Sequence, residues 1–187
     1  MGNAPGLITH HSSLVTHHPS RVLTEMTDSK QLYQEVILDH NRKPRNWGTV
    51  EDATHKAEGY NPLCGDRIKL TVKVDDDTVG AIKVEGESCA ICKASASMMT
   101  TAVKGKTRDD AEQLVQEFRE MATGKLDYEH VPHHLGRLTV FAGVRDLPTR
   151  VKCAILPWHT LHAALNSLES TTTEADADPM HAPLGNA

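Results

Sequence analysis

Aromatic side chains are scarce: two Trp, three Tyr and two Phe in 187 residues. A core must then be filled by Leu, Val, Ile, Ala and Met, and with 39% apolar residues it is a modest one. Long apolar runs are missing as well; nothing approaches the roughly 18 residues of a membrane span. Positive charge is not in excess. Twenty Lys and Arg against 25 Asp and Glu leave a net charge of −5, which argues against a general nucleic-acid binder with a basic face. The opening stretch, MGNAPGLITHHSSLVTHHPSRVLTEM, has neither a basic start nor an unbroken apolar run. No secretory signal is therefore expected, and a cytoplasmic location is. Cysteine is limited to Cys64, Cys89, Cys92 and Cys153. In a reducing compartment so few cysteines point to metal or thiol chemistry rather than to disulfide staples.

What remains reads as one domain, residues 28–169. Residues 1–27 are expected to be a disordered extension; they carry two His pairs, His10–His11 and His17–His18, of a kind that can bind metal. Residues 170–187, rich in Thr, Ala, Asp and Pro, are expected to be a disordered tail. Within the domain, Asp28 is a cap candidate for a helix with Leu32, Val36, Ile37 and His40 on one face, ended by Pro44 and Gly48. DATHKAEGY suits a short edge strand. In DRIKLTVKVDDDTVGAIKVEG, Ile68, Leu70, Val72 and Val74 alternate with polar residues, DDDTVG makes a turn, and Ile82 and Val84 resume the alternation. That is a hairpin with one buried face.

After Gly86 the pattern is helical. CAICKASASMMTTAVKGK is rich in small residues and suits close packing. TRDDAEQLVQEFREMATG carries a cap at Thr107, with Asp110 three residues on, and stops at Gly124. RLTVFAGV fits helix or strand. LPTRVKCAILPWHTLHAALNSLE reads as helix with Pro148 near its first turn, kinked or divided at Pro157. The order predicts an α+β fold: a small antiparallel sheet of about three strands with helices packed on one face.

A hairpin returns the chain to its start, so Cys64, just before it, and Cys89, just after it, should be neighbours. Cys153 falls near the start of another helix, where thiolates are stabilised. Cys64, Asp66, Cys89 and Cys153 would make a tetrahedral zinc site, with Gly65 letting the chain turn tightly between two ligands. A carboxylate is a harder and more exchangeable ligand than a thiolate. One cysteine alone would read as a small buried hydrophobe; three with an acid read as a site. Arg150, one helical turn before Cys153, is placed to lean over it, and Arg67 and Lys152 are nearby cations. Cys92 lies three residues after Cys89, as a spare ligand or half of a C-x-x-C redox pair. His159 and His162 read as structural or partner-facing.

Four blocks carry a resemblance: LYQEVILDHNRKPRNWG, NPLCGDRIKLTVKV, GESCAICKASASMMT and FAGVRDLPTRVKCAILPWHTL. In this order, over roughly residues 30–167, they resemble the SufU branch of the NifU/IscU family of iron–sulfur cluster assembly proteins, with a SufE/NifU-like fold. IscU-type scaffolds have a histidine directly before the third cysteine; here that position is Lys152. The long segment between Cys89 and Cys153 matches an insertion typical of the SufU branch. The resemblance implies Zn²⁺ held by Cys64, Asp66, Cys89 and Cys153, and Cys64 as persulfide acceptor; Arg150, from its position, would support it. It also implies two partners: a PLP-dependent cysteine desulfurase of the SufS type, which lends a histidine to the zinc, and a downstream scaffold such as SufBCD. The chain would then be a sulfur carrier akin to a sulfurtransferase. Its rivals are a scaffold that ligates an Fe–S cluster, a dithiol oxidoreductase using Cys89 and Cys92, and a binding domain with structural zinc.

Overall fold

The computed structural model describes residues 19–174, and side chains from residue 31 onward. The His pairs at 10–11 and 17–18 lie outside the described residues, as does the tail beyond 174.

Strand β2 (Asp66–Asp75) pairs antiparallel with β3 (Thr78–Glu87), matching Leu70 with Val84 and Val72 with Ile82. Asp76 and Asp77 link them with φ of 45° and 64°, the doubly positive backbone of a type I′ turn. Ile68, Leu70, Val72, Ile82 and Val84 fill the buried face that their alternation predicted. Strand β1 (His55–Asn61) pairs antiparallel with β2, and it too buries every second residue, Ala57, Gly59 and Asn61. A fourth strand, β4 (Ser170–Thr172), runs parallel to β1 and completes the order β3-β2-β1-β4. The sheet is thus mixed and four-stranded rather than three-stranded and antiparallel, and the segment expected to be tail starts as its edge.

Helices cover one face. Helix α1 (Pro19–Arg42) starts earlier than expected, so Asp28 lies inside it rather than at its cap. Helix α2 (Ala90–Val103) is packed between α1 and the helix α4 (Pro148–Leu165), and α3 (Arg108–Ala122) lies against α4. The Ala- and Ser-rich sequence of α2 permits this closeness. Ser95 Oγ donates to the carbonyl of Ala154 at 2.6 Å and accepts from Trp158 Nε1 at 3.1 Å, satisfying the buried indole. Thr107 caps α3, taking the N–H of Asp110 as expected. The stretch open to either reading, RLTVFAGV, lies in a 3-10 helix over Gly136–Val144. Pro157 neither ends α4 nor divides it. The scarce aromatics are concentrated: Phe118 stacks on Trp158 at 4.4 Å and meets Phe141 edge-on at 5.5 Å, and Tyr33 from α1 meets Phe141 at 6.4 Å.

Helix α4 reaches the sheet because Gly59 has no side chain. A Cβ there would stand 2.0 Å from Thr160 Oγ1. That contact brings the first turns of α4, with Cys153, over the end of β1.

Candidate metal centre

Three segment ends meet at one edge of the sheet. Asn61 and Asp66 are paired residues at the ends of β1 and β2, joined by the loop Pro62–Leu63–Cys64–Gly65. The Gly65 N–H donates to the Asn61 carbonyl at 2.9 Å, and Gly65 has φ of 71°, a left-handed conformation that suits glycine. The loop throws Cys64 outward and leaves it exposed. Asp66, as the first residue of β2, points inward and is 2% exposed.

The hairpin returns the chain to this edge. Cys89 is the N-cap of α2, and its Sγ accepts from the Cys92 N–H at 3.4 Å. Its own N–H donates to Asp66 Oδ1 at 2.6 Å, and its Sγ faces Asp66 Oδ2 at 3.5 Å. From α4 comes Cys153, 3.0 Å from Cys64 Sγ. Cys64, Asp66 and Cys153 each place a ligand atom within 4.8 Å of the other two. Cys89 adjoins the same group through Asp66 and through a hydrogen bond with Cys153. The structure therefore groups three of the four side chains named from the sequence, Cys64, Asp66 and Cys153, and places Cys89 beside them, against Asp66.

Donors around a tetrahedral zinc with bonds of about 2.3 Å stand about 3.8 Å apart. Cys64, Asp66 and Cys153 stand within 4.8 Å of one another, Cys89 Sγ is 3.5 Å from Asp66, and the donor set of three sulfurs and one carboxylate is one that zinc accepts. The site fits such an ion. Hydrogen bonding from Cys153 holds the Cys89 thiol below its ordinary range, and the same contact, with burial, pushes Cys153 up.

The neighbouring cations are placed differently from one another. Arg67 lies over the Tyr60 ring at 5.2 Å, and Lys152 Nζ pairs with Glu174 Oε1 at 2.6 Å. Arg150 is exposed in the first turn of α4 and lines a cleft of about 700 Å³ with Tyr33, Arg137 and Arg145. Its charge reaches Tyr33, whose phenol is raised mainly by burial and then by the Cys89 and Cys153 charges. Arg150 thus borders the centre without bonding to its ligands. Cys92 is fully buried in the core, where desolvation pushes its thiol far up, which makes it poorly suited to react. His162 Nδ1 meets Glu112 at 2.7 Å and so joins α4 to α3, a structural role.

The match to the family described as NifU-like N-terminal domain covers residues 32–175. The chain belongs to this family. The chain is 45% identical over 130 residues to the zinc-dependent sulfurtransferase SufU of Bacillus subtilis strain 168, covering 70% of this chain and 86% of that one. It is 40% identical over 134 residues to the iron–sulfur cluster assembly scaffold protein IscU of Streptococcus pyogenes serotype M1, covering 72% and 82%. A crystal structure described as an assembly scaffold protein for the SUF system, from Fervidobacterium islandicum AW-1, superposes with a TM-score of 0.66 at 37% identity, covering 70% of this chain and 94% of that one. The α+β fold is that of a NifU-like domain. Among the described residues no helix is long and apolar enough to cross a membrane.

Sequence reasoning missed one residue of this centre. Asn61, fully buried, donates from Nδ2 to Cys153 Sγ at 3.4 Å. Asn-Pro is an ordinary turn signal, and nothing in the spacing marked its side chain for the sulfurs.

Proposed function

We propose that this chain is a zinc-dependent sulfur acceptor in iron–sulfur cluster assembly, taking persulfide sulfur from a PLP-dependent cysteine desulfurase of the SufS type in the cytoplasm. The sulfur then passes to a downstream scaffold such as SufBCD. Cys64, Asp66, Cys89 and Cys153 would hold the zinc, which when bound keeps the thiols deprotonated and clamps the three segment ends. The observation that carries this reading is the exposure of Cys64 alone among the four cysteines, in contact with the buried Cys153. A partner's persulfide can reach Cys64 and no other sulfur so directly. The Cys64 thiolate attacks the outer sulfur of the partner's persulfide. A new S–S bond forms at Cys64, the partner's S–S bond breaks, and its electron pair leaves with the partner's cysteine as a thiolate; nothing is oxidised or reduced overall. Asp66 keeps the Cys89 backbone in place during this exchange, and Arg150 supplies positive charge at the rim.

The name of the 45% relative supports zinc; the names of the scaffold relatives support a cluster, which three thiolates and one carboxylate also suit. Lys152, where scaffolds carry a histidine, turns its ammonium to Glu174 and offers no ligand. Metal analysis with a desulfurase assay tests the reading. Zinc-loaded chain should stimulate turnover of a SufS-type desulfurase, and both the metal-stripped chain and Cys64→Ala should not. Uptake of iron and sulfide into a coloured species, with no stimulation, would refute it in favour of the scaffold.

A further inference from the structure

The amide of Asn61 is held in one orientation. Its Oδ1 accepts from the Leu63 backbone N–H at 3.2 Å and from Thr173 Oγ1 at 3.2 Å. A backbone N–H can only donate, so the carbonyl side of the amide must face Leu63, and the NH₂ must face Cys153 Sγ. Thr173 is itself tied down: its N–H donates to the Tyr60 carbonyl at 3.2 Å, and Glu174 beside it pairs with Lys152. The segment after β4 therefore works as a strap that fixes the Asn61 side chain against the sulfur.

The sulfurs of the centre are not equivalent in their donors. Cys153 receives an amide N–H from Asn61, and Cys89 receives the Cys92 backbone N–H. Among the described residues Cys64 receives no N–H and meets only the Cys153 sulfur, at 3.0 Å. An N–H donor draws on the lone pair of a metal-bound thiolate and makes it a poorer nucleophile, as outer hydrogen bonds tune metal ligands generally. Cys64 and Cys153 lie in contact, so a persulfide delivered to one is within reach of the other.

We propose that Asn61 is a positioning residue that quiets Cys153 by hydrogen bonding, and so leaves Cys64 as the one sulfur that takes the incoming atom. This rests on the sulfur-acceptor reading of the same centre. The competing exchange has the same balance: the Cys153 thiolate would attack the outer sulfur and the partner's thiolate would leave. The amide disfavours it by lowering the nucleophilicity of Cys153, and the strap keeps the amide in place.

The test is iodoacetamide labelling of the zinc-loaded full-length chain, where every ligand sulfur is deprotonated, with each site quantified by peptide mass spectrometry. Asn61→Leu keeps the volume and the burial but removes the donor. Cys153 labelling relative to Cys64 should rise roughly tenfold, the low end of what losing an outer hydrogen bond does at a metal ligand. Thr173→Val, which loosens the amide without touching it, should shift the ratio in the same direction by about twofold, as for one neutral hydrogen bond. Persulfide delivered by a desulfurase should then be found on both cysteines of Asn61→Leu and on Cys64 alone in the parent. An unchanged ratio in folded Asn61→Leu overturns the proposal, because burial alone would then account for the inertness of Cys153. If Asn61→Leu does not fold, an unchanged ratio in Thr173→Val overturns it. Labelling needs no desulfurase, so a chain that binds zinc but accepts no sulfur refutes the proposed function while the ratio still decides the role of Asn61. A chain that takes up no zinc overturns both.

Discussion

Asp66 has two tasks that one pair of substitutions can separate. Its carboxylate is 2% exposed and accepts the Cys89 N–H at 2.6 Å, at the N-terminal end of the 14-residue helix α2. This is a charge-assisted hydrogen bond at the positive end of a helix dipole. Asp66→Ala leaves that N–H without its acceptor, at a cost of about 2 kcal/mol, and loses up to about 1 kcal/mol of dipole interaction. Asp66→Asn keeps an oxygen in place and loses mainly the charge, about 1 kcal/mol. With a urea slope of about 2 kcal/mol/M, the midpoint should fall by about 1–1.5 M for Asp66→Ala and about 0.5 M for Asp66→Asn. The assay is urea titration of chelator-treated protein followed by tryptophan emission, since Trp158 is buried against Phe118. Zinc competition should rank the variants differently, with both well below the parent because neither keeps an anionic ligand. Equal midpoints for the two variants, or no fall for Asp66→Ala, would refute the structural task. Parental zinc affinity in both would refute the ligand task.

Cys92→Ser should cost about 1–3 kcal/mol by placing a hydroxyl in an apolar site, read as a lower urea midpoint, while sulfur acceptance per folded molecule stays unchanged. His40 is held below its ordinary pKa, first by burial and then by Arg45, and its Nδ1 faces Ser97 Oγ at 2.8 Å. Ser97 already takes the Arg45 N–H, so its proton is free to go to a neutral imidazole. The native state thus binds this proton less readily than the unfolded chain. The contribution of His40 to stability is complete above the unfolded value of about 6.5 and is lost as pH falls from there toward the folded one. Melting temperature should drop between pH 7.5 and 5.5, and less steeply in His40→Gln. Gly86 has φ of 135°, and a Cβ there would lie 2.2 Å from the Arg67 carbonyl oxygen. Gly86→Ala should therefore cost about 3 kcal/mol or more in a thermal melt and disorder the path to Cys89.

Much of the fold was legible because one physical rule dominated each stretch. Alternation over residues 68–84 has no reading but a half-buried hairpin, and a hairpin must bring Cys64 and Cys89 to one end. Thr107 with Asp110 left little doubt about the start of α3. Other stretches obeyed no single rule. RLTVFAGV is apolar without a period, and its 3-10 helix is held by packing against α1, α3 and α4, which lie far off in sequence or cannot be read from it. Ser170–Thr172 carries no apolar residue and holds its place by backbone pairing with β1, which composition cannot reveal. The N–H of Glu58, for one, goes to the Glu169 carbonyl at 2.9 Å. Asn61 was hidden for a similar reason: its partners, Cys153 and Thr173, lie 92 and 112 residues away.

The two-residue turn at Asp76–Asp77 has a reach that its size conceals. Its doubly positive backbone starts β3 against β2 at Asp75–Thr78, and together with the one-residue shift of register between Val74 and Lys73 it decides that Glu87 of the returning strand arrives opposite Arg67. The turn sits at the far end of the hairpin from every sulfur, yet it acts as the ruler by which the centre is measured out. One residue added or removed there would turn the inner face of β3 outward and carry Cys89 away from its carboxylate without altering any side chain of the site.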